Sequence, residues 1–281
     1  MKQNIDHKTV EGFGDEWSRF DQEALSQQEL QDLFNRFFRL FPFDSITSDA
    51  EGFDLGCGSG RWVKCFAPKI GRIHCIDPSE TALSIAKQNL EQFANCEFHL
   101  ASVEDIPLLD DSMDFGYSVG VLHHVPDTAA GIKSCVSKLK NGAPFYLYIY
   151  YSFDNRPAWF QMIWRASNCL RQVVSRLPYL ARYSFSQVIA MLVYFPVARS
   201  LKILEMLGMN VQGVPLSWYR RRSFYSMRTD ALDRFGTRLE KRFTAGQIRE
   251  MMENSGLENI CFSDAEPYWC AVGYKKSRCA V

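Results

Sequence analysis

Two rhythms of apolar and polar positions divide this chain. Between residues 51 and 150, short apolar runs alternate with stretches of helical spacing. Residues 51–55, Arg72–Asp77, Phe98–Leu100, 115–121 and Phe145–Tyr150 read as five strands, and the fifth is apolar enough to be central in a sheet. Between them, Trp62, Val63 and Phe66 mark a helix that stops at Pro68. Leu83, Ala86, Leu90 and Phe93 stripe a second helix, opened by Pro78, Ser79 and Glu80, with the acid suiting a helix N-terminus. Ile132, Val136 and Leu139 mark a third. This alternation predicts a doubly wound parallel sheet.

The flanking segments behave differently. Residues 12–20 read as a loop with aromatic anchors, and Leu30, Leu33, Phe34, Phe37, Phe38 and Phe41 then recur at the spacing of an amphipathic helix. Residues 152–229 lack strand periodicity and read as several helices broken at Pro157, Pro178, Pro196 and Pro215. Beyond them Thr244 caps a helix carrying Ile248, Met251 and Met252, stopped by Gly256, and 257–262 and 269–274 read as closing strands. The expectation is an α/β fold with a seven-stranded sheet and an inserted, mostly helical cap. Its parts are an N-terminal helical lead-in (1–45), a core (46–150), the cap (151–229) and a C-terminal part of the core (230–281).

Candidate chemistry concentrates where strand one ends. The segment Glu51-Gly52-Phe53-Asp54-Leu55-Gly56-Cys57-Gly58-Ser59-Gly60 runs a strand into three alternating glycines, which turn tightly and let a ligand approach backbone N–H groups. Asp77 follows at the tip of strand two, placed to hold two ribose hydroxyls. Two adenosine cofactors use such a layout. A dinucleotide fingerprint starting at Gly56 needs glycine at 61, where this chain has Arg61.

The G-x-G-x-G spacing instead resembles the first motif of class I S-adenosylmethionine-dependent methyltransferases, whose fold is Rossmann-like. Ala101-Ser102-Val103-Glu104-Asp105-Ile106-Pro107 resembles their third motif, although the acid that often contacts adenine is replaced by Ser102. The stretch 111–125 resembles their fourth strand and its loop, and 139–144 their turn before strand five. The resemblance covers 50–150 well and 240–275 loosely. It is closest to the small-molecule branch that includes quinone C-methyltransferases and sugar and natural-product methyltransferases.

The resemblance implies S-adenosylmethionine as cofactor, bound by Trp17, Asp54, Gly56, Gly58, Gly60, Asp77, Pro78, Ser102, Val103, Glu104 and Gly120. Arg61 is a further candidate for the cofactor's carboxylate. His123 and His124 fall on the carboxyl edge of the sheet, where ligands bind, and either could serve as general base. His124 is preferred, because related methyltransferases keep an active-site histidine there.

Charge adds a candidate acceptor site. The chain has no net charge, yet 151–229 holds eleven Lys and Arg against Asp154 and Glu205. Within it, Tyr219, Arg220, Arg221, Arg222 and Tyr225 form a basic-aromatic cluster suited to an anionic acceptor. The expected activity is therefore methyl transfer to a small or amphiphilic anionic acceptor, such as a hydroxyl of a sugar, lipid-linked or natural-product substrate. The alternatives are an RNA- or protein-modifying methyltransferase, a C-methyltransferase of a quinone-like lipid, and a non-enzymatic cofactor-binding module. Nucleic acid is not expected, because the basic residues are interleaved with apolar helices, and the oligomeric state is open. Nine cysteines without metal-type spacing argue against a zinc site. The polar N-terminus and scattered thiols suggest a cytoplasmic protein. The longest apolar run, Val188–Ala198, is too short to span a bilayer and leaves peripheral membrane contact as an option.

Overall fold

The computed structural model describes residues 3–22 and 24–277. Its centre is a sheet of β1 (Glu51–Leu55), β2 (Arg72–Asp77), β3 (Cys96–Leu100), β4 (Phe115–Val119), β5 (Pro144–Tyr148), β6 (Leu257–Phe262) and β7 (Cys270–Lys275). The spatial order is β3-β2-β1-β4-β5-β7-β6. The first five strands run parallel, and β7 enters antiparallel beside β5. The order reverses between β1 and β4, which in an open α/β sheet marks the ligand crevice.

Both sheet faces are covered, so the strands carry apolar residues on both sides of the pleat. On one face Phe53, Leu55, Phe145 and Leu147 pack with Leu122, Ile132, Ile248 and Met252. On the other, Tyr117 and Tyr146 join an aromatic group of Phe34, Phe38, Phe41 and Phe66, with ring centroids 4.7–6.1 Å apart along its contacts. Each such ring contributes about 1.5–3 kcal/mol through burial. Gly116 leaves room for the Phe53 ring, which a Cβ there would meet at 2.3 Å.

The helices around the sheet start from local caps. In α1 (His7–Arg19) the Asp6 side chain accepts the Thr9 N–H at 2.8 Å. The segment read as a loop is thus helical. Within it, Gly14 is a point of close approach to the next layer, where a Cβ would lie 2.9 Å from Ser79 Oγ. α2 (Gln27–Phe37) carries the Phe34 stripe, α3 (Val63–Phe66) is one turn, and α4 (Glu80–Asn89) is capped by Ser79. α5 (Thr128–Lys138) is capped by Asp127. Later, α10 (Ala245–Asn254) begins in a full capping box between Thr244 and Gln247.

The chain divides into two units. The sheet unit holds Met1–Asp21, Leu30–Asp154 and Leu239–Val281, and the second holds Gln22–Glu29 and Asn155–Arg238. The second unit contains α6 (Ala158–Val174), α7 (Tyr179–Ile189), α8 (Phe195–Met206) and α9 (Phe224–Gly236). Its small core is Ala190, Tyr194, Ala198, Met227 and Ala231. Pro196 does not break a helix here. A π-helical turn at Ala190–Tyr194 joins α7 to α8, and Pro196 sits in the first turn of α8, where its missing N–H is tolerated. The result is one continuous helix over Tyr179–Met206, 28 residues long, whose most apolar 18-residue stretch has a mean hydropathy of 1.4, more than the eleven-residue run suggested.

Much of the basic excess in this unit is committed to its fold. Arg171, 5% exposed, donates to the Thr237 and Arg238 carbonyls at 2.8 and 3.2 Å, and Arg182 to Gly236, closing the C-terminus of α9. Arg171→Met is therefore expected to lower the unfolding free energy by about 1–3 kcal/mol, the cost of leaving buried acceptors unsatisfied. A urea titration checks this, and affinity for the cofactor should not change.

Candidate active site

The sheet unit assembles three strand ends in one crevice. β1, β2 and β4 are parallel neighbours, with Leu55 paired to Ile76 and Asp54 to Tyr117, so their carboxyl ends lie level. After β1 the chain turns through Gly56, Gly58 and Gly60, with φ of +78°, +54° and +75°. These are left-handed conformations that favour glycine. Space is also short on the protein side. A Cβ at Gly56 would fall 2.3 Å from Val121, at Gly58 2.9 Å from the Trp17 ring, and at Gly60 2.7 Å from Leu90. The glycines therefore serve the packing of the turn as well as any ligand. Beside Gly120, at the end of β4, a Cβ would meet nothing within 4 Å.

Asp77 is the polar centre of the crevice. One carboxylate oxygen accepts the Gly58 N–H at 2.9 Å and the other the Ser79 N–H at 2.9 Å. Each oxygen keeps capacity for a further donor, which suits a vicinal diol. Burial pushes the carboxyl up to about 6, against the lowering effect of the two amides. Because hydroxyl donors favour the ionised form, cofactor affinity should rise with pH through about 6 and level off above it. Below that point it should weaken by about tenfold per pH unit. Calorimetry between pH 5 and 8 tests the sign, and an affinity flat across that range would contradict it.

Asp54 lies beneath the turn, 1% exposed, and burial drives its carboxyl well above the usual range. Its Oδ2 and the Ser59 hydroxyl have no hydrogen-bond partner among the described residues. Unfilled acceptors of this kind fit a ligand rich in donors, as ribose hydroxyls and an ammonium group are. Trp17 reaches the turn from α1, and the Arg61 guanidinium stacks 4.4 Å from the Trp62 ring and 5.8 Å from the Trp17 ring. On the far side, Pro78 follows Asp77 directly. Ser102 Oγ accepts the Glu104 N–H at 3.3 Å, Val103 is buried in the core, and Glu104 is exposed.

The two histidines occupy a 3-10 turn, Leu122–His124, directly after β4 and Gly120. They have different fates. His123 is fully buried, with its ring 3.9 Å from both His124 and Tyr150, and among the described residues neither ring nitrogen has a hydrogen-bond partner. Burial, with His124 and Arg242 nearby, holds it well below the usual histidine range. It is a neutral packing residue, which corrects the expectation that it shares the base role. His124 points its Nδ1 at the Leu239 carbonyl, 2.6 Å away. A carbonyl can only accept, so Nδ1 carries the proton and Nε2 the lone pair. Phe13 and Tyr150 flank the ring at 4.9 and 5.7 Å. Sequence reasoning missed both as neighbours, since they come from α1 and the chain just past β5.

The acceptor cluster in the second unit is otherwise engaged. Arg220 and Arg221 both pair with Glu205, at 2.9 and 3.1 Å, and Arg220 also donates to the Ser217 carbonyl. Tyr219 is packed against Tyr194, and Tyr225 accepts the Gln22 N–H. Arg222 is buried and lies over the Trp218 ring. The cluster is thus largely tied into its own unit, although the Arg221 side chain stays 66% exposed. One constellation was not anticipated. His74, Glu97 and His99 meet on one face of β2 and β3, where His74 Nδ1 lies 2.9 Å from His99 Nε2 and His74 Nε2 lies 2.7 Å from Glu51.

Fold and site together define an α/β domain with a glycine turn and a buried carboxylate at the carboxyl ends of β1 and β2. Comparison with known proteins identifies what part of the chain resembles. Residues 53–147 match the family described as a methyltransferase domain. Over 151 residues the chain is 28% identical to the ubiquinone biosynthesis O-methyltransferase of Marinobacter nauticus, covering 52% of this chain and 63% of that protein. Over 146 residues it is 30% identical to the protein of the same name from Haemophilus ducreyi, covering 47% and 62%. The match thus spans less than two thirds of those relatives. A SAM-dependent methyltransferase from Aquifex aeolicus shares the fold at a TM-score of 0.52 and 12% identity, with 93% of this chain and 96% of that one covered. Residues 53–147 therefore form a methyltransferase domain, and the solved structures sharing the fold include S-adenosylmethionine-dependent enzymes.

Proposed function

We propose that this protein transfers a methyl group from S-adenosylmethionine to a hydroxyl oxygen of a small amphiphilic acceptor, with His124 as general base. The observation that carries this reading is the His124 tautomer. Its Nδ1–H is fixed by the Leu239 carbonyl, and its Nε2 lone pair stands at the carboxyl end of β4 beside Phe13 and Tyr150. A base is required when the nucleophile must lose a proton, as a hydroxyl must. The bound cofactor supplies an electrophilic methyl on a positively charged sulfur. Asp77, with Gly58 and Ser79, would hold the ribose. His124 would orient the acceptor and take its proton, and the aromatic neighbours would exclude water and receive an apolar ring.

The O-methyltransferase names of the relatives support oxygen as the methylated atom. Of the arginines expected to read an anionic acceptor, Arg220 and Arg221 pair with Glu205 and Arg220 also donates to the Ser217 carbonyl, so the proposal rests on the hydroxyl rather than on charge. The same commitments leave an RNA-binding face little support. The eight described cysteines are all free, which supports a reducing, cytoplasmic setting. The test uses S-adenosylmethionine labelled in the methyl group and a panel of alkylated phenols and catechols. Label appearing as a methyl ether supports the proposal. Label on ring carbon favours the C-methyl alternative, and cofactor binding with no turnover on any acceptor favours the non-enzymatic one.

A further inference from the structure

The continuous helix of α7 and α8 is far more exposed than its composition warrants. Only 22% of its most apolar stretch is buried. Its inward positions, Ala190, Tyr194 and Ala198, pack with Met227 and Ala231 of α9. Its outward positions include Met191, Leu192, Ile203 and Met206, 55–77% exposed. α6 repeats the pattern with Met162 at 66% and Trp159 at 49%. An apolar surface this extensive is uncommon on a soluble domain and marks an interaction site.

Charge identifies the occupant. Residues 155–204, the whole of α6 and α7 and most of α8, contain seven Lys and Arg and no Asp or Glu. Arg165, Arg176 and Lys202 are exposed among the apolar side chains. Apolar residues with basic flanks and no acids are the composition of a helix lying in the headgroup region of an anionic bilayer.

We propose that α6, α7 and α8 form a docking face for membranes containing anionic lipid, lying in the interface with its cations against the headgroups. The face lies on the membrane and does not cross it. Although 28 residues are long enough to span, Arg182 and Arg199 on the same helix donate to the carbonyls of Gly236, Arg220 and Arg222, which makes it one wall of a folded unit. The inference does not depend on the methyl-transfer reading. Taken with it, membrane docking would bring an amphiphilic acceptor to the enzyme.

Sedimentation of the full chain with vesicles of equal parts phosphatidylglycerol and phosphatidylcholine tests the proposal. The protein should pellet with these vesicles, not with pure phosphatidylcholine, and high salt should release it. Arg165→Gln and Lys202→Gln should each lower the partition coefficient about fivefold. Met191→Asp with Leu192→Asp should abolish pelleting, while a far-ultraviolet circular dichroism spectrum and a urea midpoint matching the parent's report that the variant is folded. Three outcomes would overturn the proposal. They are absence of pelleting, salt-resistant association equal on both vesicle types, and a stable dimer in solution that the double aspartate variant converts to monomer.

Discussion

His124→Ala is expected to lower kcat by about 10²–10⁴ at neutral pH, the usual contribution of a positioned acid–base group. The cofactor Kd should stay near that of the parent. The separation follows from where each residue sits. Asp77 and the glycine turn belong to β1 and β2, whereas His124 belongs to the turn after β4. The ring is 6% exposed and its Nδ1 proton is held by Leu239, so the effect of its loss is chemical as well as steric. His124→Gln provides a control, because it retains bulk and a hydrogen-bonding side chain but offers no comparable base. If the glutamine variant keeps the parent's kcat, methyl transfer here proceeds by positioning alone.

Asp77→Ala carries the second large effect. The substitution removes an acceptor that bonds the Gly58 and Ser79 amides and, on the proposed reading, the ribose hydroxyls of the cofactor. Hydrogen bonds to a charged group are worth about 1.5–3 kcal/mol, so the cofactor Kd should rise by about 10–150-fold. Asp77→Asn retains one acceptor oxygen and should fall between the parent and the alanine variant. Calorimetry with S-adenosylmethionine reads both. Equal affinity in all three proteins would remove Asp77 from the cofactor site.

The legible parts of this chain were those whose signal is local. The inner strands β1, β4 and β5 announce themselves as apolar runs, because strands covered on both faces need no alternation. The Thr244 cap and the glycine turn are likewise written in adjacent residues. What could not be read depends on distant partners. Gly14 reads as part of a loop until Ser79, 65 positions later, is seen to need the space. The charge on Arg171 reads as a surface feature until the carbonyls at Thr237 and Arg238 claim it. His123 and His124 are indistinguishable in sequence, and only the 3-10 turn decides which ring enters the core. Pro196 looked like a break because a π-helical turn upstream leaves no signature of its own.

Methyl transfer to oxygen with His124 as the base is tested most directly by mass spectrometry of the product formed from methyl-labelled S-adenosylmethionine and a phenolic amphiphile. The parent should yield a product heavier by one labelled methyl group in place of a hydroxyl proton, and His124→Ala should form it at least about a hundredfold more slowly. Label found on carbon or nitrogen, or equal rates from the two proteins, would contradict the account.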